Sequence, residues 1–428
     1  MMLTRRQSSA IGYSLLVVLT IAYMAYSNDR LGVMSVSIFY MKSQLHITNV
    51  QFALLTSAFF LGYLPFPLLS GWISDRLRTP ILIPFSIAVF SIATLLVAYA
   101  SSYDELLILR VLTGAGEGVF VPVAAGLLAK FFSNRRGLAM GFFNMGFTLG
   151  VTSGDFMGGY LGSIYKTYTY NFIYSASWGF LIAVASFLFL YSFRREISGL
   201  YGKDVNKSNY SSSVTEEANK GAKLKVITNF LTLGLIFSVV MLFMNSWAST
   251  DYITWLAYYL HTVRHVTPAI SSYYTGYVFV GAAAGSLILG MLSDKIMKLV
   301  GSKSIAIVIP SVGAGVFVLL LVLINNDILA IVMAFAAGFL YAGIFPVALA
   351  LGQDSVDSKY ASAASGLGIN ILSVAPLFAP ASLALMIHSS FVEAMVYNIA
   401  LPWIATGILG IVLWISFRHR HKLTEATH

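Results

Sequence analysis

The sequence predicts an all-α membrane protein: twelve transmembrane helices arranged as two pseudo-symmetric six-helix bundles. Three observations carry that reading. Of 428 residues, 58% are hydrophobic and only 10% charged, whereas soluble domains carry roughly 25% charged residues. The apolar residues fall into runs long enough for a helix to cross a hydrocarbon core, which takes about 20 residues. A short polar pattern also occurs twice, at matching places in the two halves.

The apolar runs lie at about 11–41, 49–73, 80–100, 106–131, 136–161, 170–193, 226–260, 269–292, 304–323, 328–351, 360–387 and 391–417. Each is expected to be a helix, because an open strand in lipid leaves its backbone groups unpaired and barrel strands would be about ten alternating residues. The opening MMLTRRQSSA resembles the charged start of a signal peptide. The run after it is too long for a signal core and contains charges, so it is read as a retained first helix.

The connections alternate in charge. One side holds Arg76 and Arg78, then Lys130, Arg135 and Arg136, then Arg194, Arg195 and the lysines up to Lys225, then Lys295, Lys298, Lys303 and Lys359. The other holds only Lys42, Lys166 and Arg264. The positive-inside rule places the first side, and both termini, in the cytoplasm, and the expected location is the cell membrane. The polar stretch 198–225 reads as a cytoplasmic linker between an N-terminal bundle, 1–197, and a C-terminal bundle, 226–428. The repeated pattern is G-x-(I/L)-S-D-(R/K). It supplies Gly71, Asp75 and Arg76 at the end of the second helix, and Gly290 and Asp294 at the end of the eighth. Parallel repeats of this kind are a transporter architecture.

Composition also excludes functions. Net charge is +9, but the basic residues sit in loops rather than on a face with interleaved aromatics, so no nucleic-acid partner is expected. There are no cysteines, and the seven histidines show no metal-ligand spacing. No metal, no cofactor and no enzymatic constellation are expected, and the chain is taken to work as a monomer in the lipid bilayer.

The charges inside the apolar runs are Asp29, Arg30, Arg110 and Glu117; Asp155 and Asp251 are expected nearer the outer ends, where Asp251 either joins an outer gate or meets water. A charge at the bilayer centre costs about 2.5–3.5 kcal/mol on insertion scales, so the four should face one another or a wet cavity. Asp29 in the first helix and Glu117 in the fourth fall at compatible depths. Arg110 and Glu117 are seven residues apart, two helical turns, with Gly114 between them on the same face. Glycines there suit close helix packing, and an Arg–Glu salt bridge would account for the charges structurally. The functional alternative rests on two properties. Burial disfavours a charged carboxylate while a nearby arginine favours it, and the arginine fork suits a carboxylate or phosphate.

Several motifs resemble the anion:cation symporter family of the major facilitator superfamily. They are NDRLGVMSVSIFYMKSQLHIT, AFFLGYLPFPLLSGWISDR, RVLTGAGEGVFVP and FFSNRRGLAMGFFNMG, with a weaker TWLAYYL. The resemblance implies that Asp29 and Glu117 are the proton-coupling acids, and that protons are the coupling ion. It implies that Arg30 contacts an anionic substrate, with Arg110, Tyr63 and Asn370 also in the binding site. It places Gly71, Asp75, Arg76, Gly290 and Asp294 at a cytoplasmic gate. Two departures concern selectivity: Phe147 stands where some relatives have a glutamine, and Ala257 replaces a proline. The expected function is proton-coupled uptake of a small organic anion, such as a sugar acid or other carboxylate, by alternating access. Proton-driven efflux by antiport uses the same residue types, and a non-transporting membrane sensor is the alternative from another class.

Overall fold

A computed structural model describes residues 5–67, 69, 79–132, 136–194, 197, 232–300, 304–356 and 361–426. All twelve expected segments are helical, and among the described residues there are no strands. Eleven of the segments are long and apolar enough to cross a membrane by composition alone. The fifth, Arg136–Tyr165, is 30 residues long but rich in glycine and polar residues, and its packing explains why.

Glycines 146, 150, 154, 158 and 162 recur every fourth residue along this helix, and each lies against the first span. A Cβ at Gly146 would meet the Thr20 carbonyl, one at Gly150 would overlap Met24 and Ser27, and one at Gly154 would stand 2.6 Å from the Gly32 Cα. Further along, Gly158 meets Val36 and Gly162 meets the Tyr40 ring. A residue with no side chain lets two helix backbones approach closely, which is how helices associate where water supplies no hydrophobic drive.

Among the described residues several spans are not plain α-helices; the second, for example, is interrupted at Leu64. The first runs Arg5–Ser27, then a π-helical turn Asn28–Gly32, then Val33–Leu45. The twelfth has a similar turn at Val396–Ala400. The ninth opens on a 3-10 turn, Ile305–Ile307. The tenth is broken between Tyr341 and Ile344. The eleventh is interrupted by a 3-10 turn at Ala375–Leu377, where Pro376 and Pro380 supply no N–H.

The chain separates into two compact units: Met1–Ile47 with Ala58–Ala222, and Thr48–Ser57 with Lys223–His428. Each shows the same devices. In the first, Gly62 of the second span lies against the Val111 carbonyl of the fourth, and Gly114 lies against Phe59. In the second, Gly285 of the eighth span lies against Phe339 of the tenth, and Gly338 lies against Val278. The connections from first to second and from seventh to eighth helix repeat too. His46-Ile47-Thr48 and His265-Val266-Thr267 each put a histidine at positive φ, 51° and 55°, the left-handed turn that ends helices. Each threonine carbonyl then accepts the first bond of the next helix, from Phe52 and Ser271 respectively. Thr48 and Gln51 also exchange side-chain bonds of 2.8 and 3.1 Å, a reciprocal capping box.

Replacing Gly114 by valine is expected to destabilise the N-terminal unit by about 1–3 kcal/mol or more, the usual range for overpacking. The check is a lower unfolding temperature in detergent for Gly114→Val than for Gly126→Val, since a Cβ at Gly126 meets nothing within 4 Å.

Candidate functional site

The π-turn sets the directions of Asp29 and Arg30. It closes with a bond from the Val33 N–H to the Asn28 carbonyl, an i→i+5 pattern that adds a residue to the turn and recurs at functional sites. Asp29 points to the third span, where the Thr94 hydroxyl donates to its Oδ2; its other oxygen has no hydrogen-bond partner. Arg30 points to the second span. Its guanidinium carbon lies 4.5 Å from the ring centre of Phe60, 4.8 Å from Tyr63, 5.0 Å from Phe59 and 5.4 Å from Tyr26. One of its terminal nitrogens also donates to the Tyr26 hydroxyl. Arginine stacks on such faces and keeps its N–H edge for in-plane acceptors.

The fourth helix supplies the other two charges. It is set by a capped start, in which Ser102 accepts from the Glu105 N–H and Glu105 accepts from Ser101, and by glycine contacts to its neighbours. Gly114 and Gly118 meet the second span, and Gly116 meets Phe90 of the third. Arg110 donates through Nη2 to the Arg30 carbonyl at 3.3 Å, while its Nε and Nη1 have no partner. Both oxygens of Glu117 are buried with no partner. Arg110 and Glu117 each lie within electrostatic reach of the other three charges. None of the four is within the 4.0 Å of an ion pair, so the Arg110–Glu117 salt bridge is not formed.

Exposure divides the four. Asp29 and Arg110 are each 1% exposed and Glu117 is 0% exposed, but Arg30 is only partly buried. Arg30 is thus the least enclosed of the four, and Arg110 stands behind it, holding its backbone. Beyond Arg30 lies an aromatic wall. Tyr23 stacks on Phe143 at 4.5 Å and touches Tyr26 at 5.2 Å and Phe147 at 5.7 Å. Phe147 therefore lends this side apolar surface where a glutamine would have lent hydrogen bonds.

Of the other expected residues, Tyr63 is buried under Arg30 and stacks on Phe59. Asn370 is partly buried in the eleventh span, in the other unit. Gly71, Asp75 and Arg76 lie outside the described residues. Gly290 and Asp294 lie within the helix Pro268–Val300, Gly290 with nothing within 4 Å of a Cβ, and the Asp294 side chain lies outside those described. One expectation needs correcting: Asp251 is 0% exposed and does not meet water, because neighbouring helices cover it; Asp155 is likewise 0% exposed. Asn245 accepts from the Trp403 indole at 3.1 Å, an ordinary interhelical bond.

Thr94, Tyr26, Phe59 and Phe60 were not singled out from the sequence. A lone threonine in an apolar helix is commonplace, and the aromatics read as core. Only Tyr26, four residues before Arg30, was open to an i,i+4 argument. Thr94→Val removes the one donor to Asp29 and should weaken that site by about 1.5–3 kcal/mol, the range for a hydrogen bond to a charged group. The pH dependence of transport should move in Thr94→Val and return in Thr94→Ser.

Apolar helices that enclose a cluster of charges within one bundle define a polytopic membrane protein with a polar centre. A model described as the Major Facilitator Superfamily matches residues 15–380. The chain is 24% identical over 382 residues to probable anion transporter 2, chloroplastic, of Oryza sativa subsp. japonica, covering 84% of this chain and 68% of that one. It is 23% identical over 416 residues to the probable sulfoacetate transporter SauU of Cupriavidus necator, covering 93% and 91%. It is 25% identical over 284 residues to the hexuronate transporter of Bacillus subtilis, covering 65% and 63%. Among solved structures, a bacterial homolog of the human lysosomal transporter Spinster superposes with TM-score 0.72 at 16% identity, covering 94% and 95%. A D-xylose–proton symporter superposes with TM-score 0.71 at 16% identity, covering 94% and 96%. The chain belongs to the Major Facilitator Superfamily; it is a multi-pass membrane transporter and not an enzyme.

Proposed function

We propose that this transporter takes up a small organic anion together with protons, by alternating access of its two bundles. Arg30 binds the anion, and Asp29 and Glu117 carry the protons. The observation that carries this reading is Glu117: a buried carboxyl group with no hydrogen-bond partner, sharing a cluster with two arginines and a second acid. An anion arriving at Arg30 neutralises positive charge that Glu117 otherwise senses. A carboxylate without that compensation and without donors is costly in a site of low dielectric, and taking up a proton removes the cost. Anion binding and proton uptake thus favour each other through the same field.

Asp29 fits the same role. The Thr94 hydroxyl has one hydrogen but two acceptors in reach, the Asp29 carboxyl group and the Phe90 carbonyl at 2.8 Å. When Asp29 gains a proton it donates to Thr94, which then donates to Phe90, so either state keeps the hydroxyl bonded.

The aromatic wall favours anions with a compact, weakly hydroxylated body over polyhydroxylated sugar acids. Relatives named for sulfoacetate and for hexuronates supply the two probes. In proteoliposomes at zero membrane potential, an acidic exterior should drive uptake and concentration of sulfoacetate above that of glucuronate. Accumulation only against an opposite proton gradient would mean antiport. Binding of neither probe, nor of aliphatic or aromatic carboxylates, nor of phosphate, would remove the organic-anion assignment.

A further inference from the structure

Asp155 lies outside the cluster described above. It sits on the fifth span, beside Gly154, whose close approach to Gly32 brings the two helix backbones together. That contact places Asp155 against Ser35 of the first span, whose hydroxyl is 2.8 Å from Asp155 Oδ1. The second oxygen, Oδ2, is buried without a partner. Among the described residues no Lys, Arg or His nitrogen is within 4.0 Å of this carboxyl group.

The hydrogen count is informative. The Ser35 oxygen is also 2.9 Å from the Gly32 carbonyl, within hydrogen-bond range. A serine hydroxyl has one hydrogen to give and two lone pairs to accept with. It cannot donate to the Gly32 carbonyl and to an Asp155 carboxylate together. The two contacts are both hydrogen bonds when Asp155 brings a hydrogen of its own: Asp155 donates to Ser35, and Ser35 donates to Gly32. This is the arrangement of carboxyl group, hydroxyl and helix carbonyl that Asp29 makes with Thr94 and Phe90, repeated at the other end of the π-turn.

We propose that Asp155, Ser35 and the Gly32 carbonyl form a second proton-binding site, separate from the Asp29–Glu117 cluster. The bound proton ties the fifth span to the last residue of the turn that carries Asp29 and Arg30. When the proton leaves to water, the Ser35 hydrogen turns from the Gly32 carbonyl to the carboxylate, and Gly32 loses its side-chain donor. Among the described residues, the groups around the site leave the proton as the only counter-charge. The first span presents Ser35, Ser37 and, toward the cluster, Asn28, Asp29 and Arg30; its outer part puts the Tyr40 ring on Gly162. The sixth span presents Asn171, bonded to Ser37, the buried hydroxyl of Ser175, and Tyr174, which bonds Asn28 and Ser153. The fourth span's ionisable residues, Arg110 and Glu117, interact with the Asp29 cluster rather than with Asp155.

The test needs no substrate, so it stands or falls apart from the anion assignment. Infrared spectra of the purified full-length protein are compared for wild type and Asp155→Asn. The expected difference is one carboxylic-acid C=O band, of single-residue intensity, that persists into mildly alkaline buffer and is unchanged when sodium replaces potassium. Ser35→Ala, which keeps Asp155, should shift that band to higher frequency, as loss of its acceptor requires. Asp251→Asn is the control and should leave the band in place. A difference spectrum with only carboxylate bands overturns the proposal. So does a protonated band that sodium abolishes, which would make Asp155 a cation ligand. If Asp155→Asn does not fold, an unshifted spectrum in Ser35→Ala overturns it as well.

Discussion

Glu117→Gln is expected to abolish concentrative uptake while leaving exchange intact. Glutamine keeps the size of the side chain and is permanently neutral, so it imitates the protonated carboxyl group. The surrounding fold supplies no hydrogen bond to lose, since both carboxyl oxygens are unpartnered. The variant should therefore fold and bind anion. On the proposed mechanism, what it loses is the link between occupancy of Arg30 and uptake of a proton. In proteoliposomes with an acidic exterior, accumulation of sulfoacetate should fall by about tenfold or more, equivalent to 1.4 kcal/mol or more of lost coupling. Counterflow, in which labelled solute exchanges with unlabelled solute and no net proton movement is needed, should continue near the wild-type rate. Undiminished accumulation by Glu117→Gln would assign proton coupling elsewhere. Loss of both accumulation and counterflow would make Glu117 a binding or folding residue instead.

Arg30→Lys is expected to lose anion binding almost as completely as Arg30→Ala. Both variants leave Arg110 in place, but Arg110 is 1% exposed and its Nη2 is engaged with the Arg30 carbonyl. Lysine keeps the charge, yet it cannot lie flat among Tyr26, Phe59, Phe60 and Tyr63 or present a planar fork. Truncating one partner of a buried charge pair costs 2–5 kcal/mol or more, so the affinity for sulfoacetate should fall by roughly 30-fold at the least. Calorimetry or ligand-induced thermal shift reads the effect. Arg110→Lys should weaken binding less, because its contribution passes through the backbone it holds. Wild-type affinity in Arg30→Lys would mean that charge alone recruits the anion and the aromatic box does not.

The two arginines and two acids were legible in the sequence because full charges in apolar runs are rare and costly. Their partners and their exposure were not. Asp29 and Arg30 are neighbours, and spacing alone separates their directions by about 100° on an α-helix; the π-turn at Asn28–Gly32 sets the actual directions. The glycines of the fourth helix read as close packing, and the structure bears this out: Gly114, Gly116 and Gly118 each admit a neighbouring helix. The ladder of glycines at 146, 150, 154, 158 and 162 was open to a count of spacing. So was the duplicated histidine–aliphatic–threonine turn at His46 and His265. Both were masked by the stronger signal of the charges.

By itself the sequence determined the membrane class, the twelve helices, the doubled architecture and the identity of the charged residues. Those properties follow from composition and period, since lipid admits only closed backbone and penalises every charge placed in it. Tertiary structure alone decided which charges are fully enclosed and which one is only partly buried. It also decided that Thr94 bonds Asp29, that four aromatic rings box Arg30, and that Asp155 is buried against Ser35. The reason is physical: partners and solvent access depend on which helices touch and at what rotation. That is set by one extra residue in a helical turn and by glycine contacts that join residues as far apart in the chain as Thr20 and Gly146.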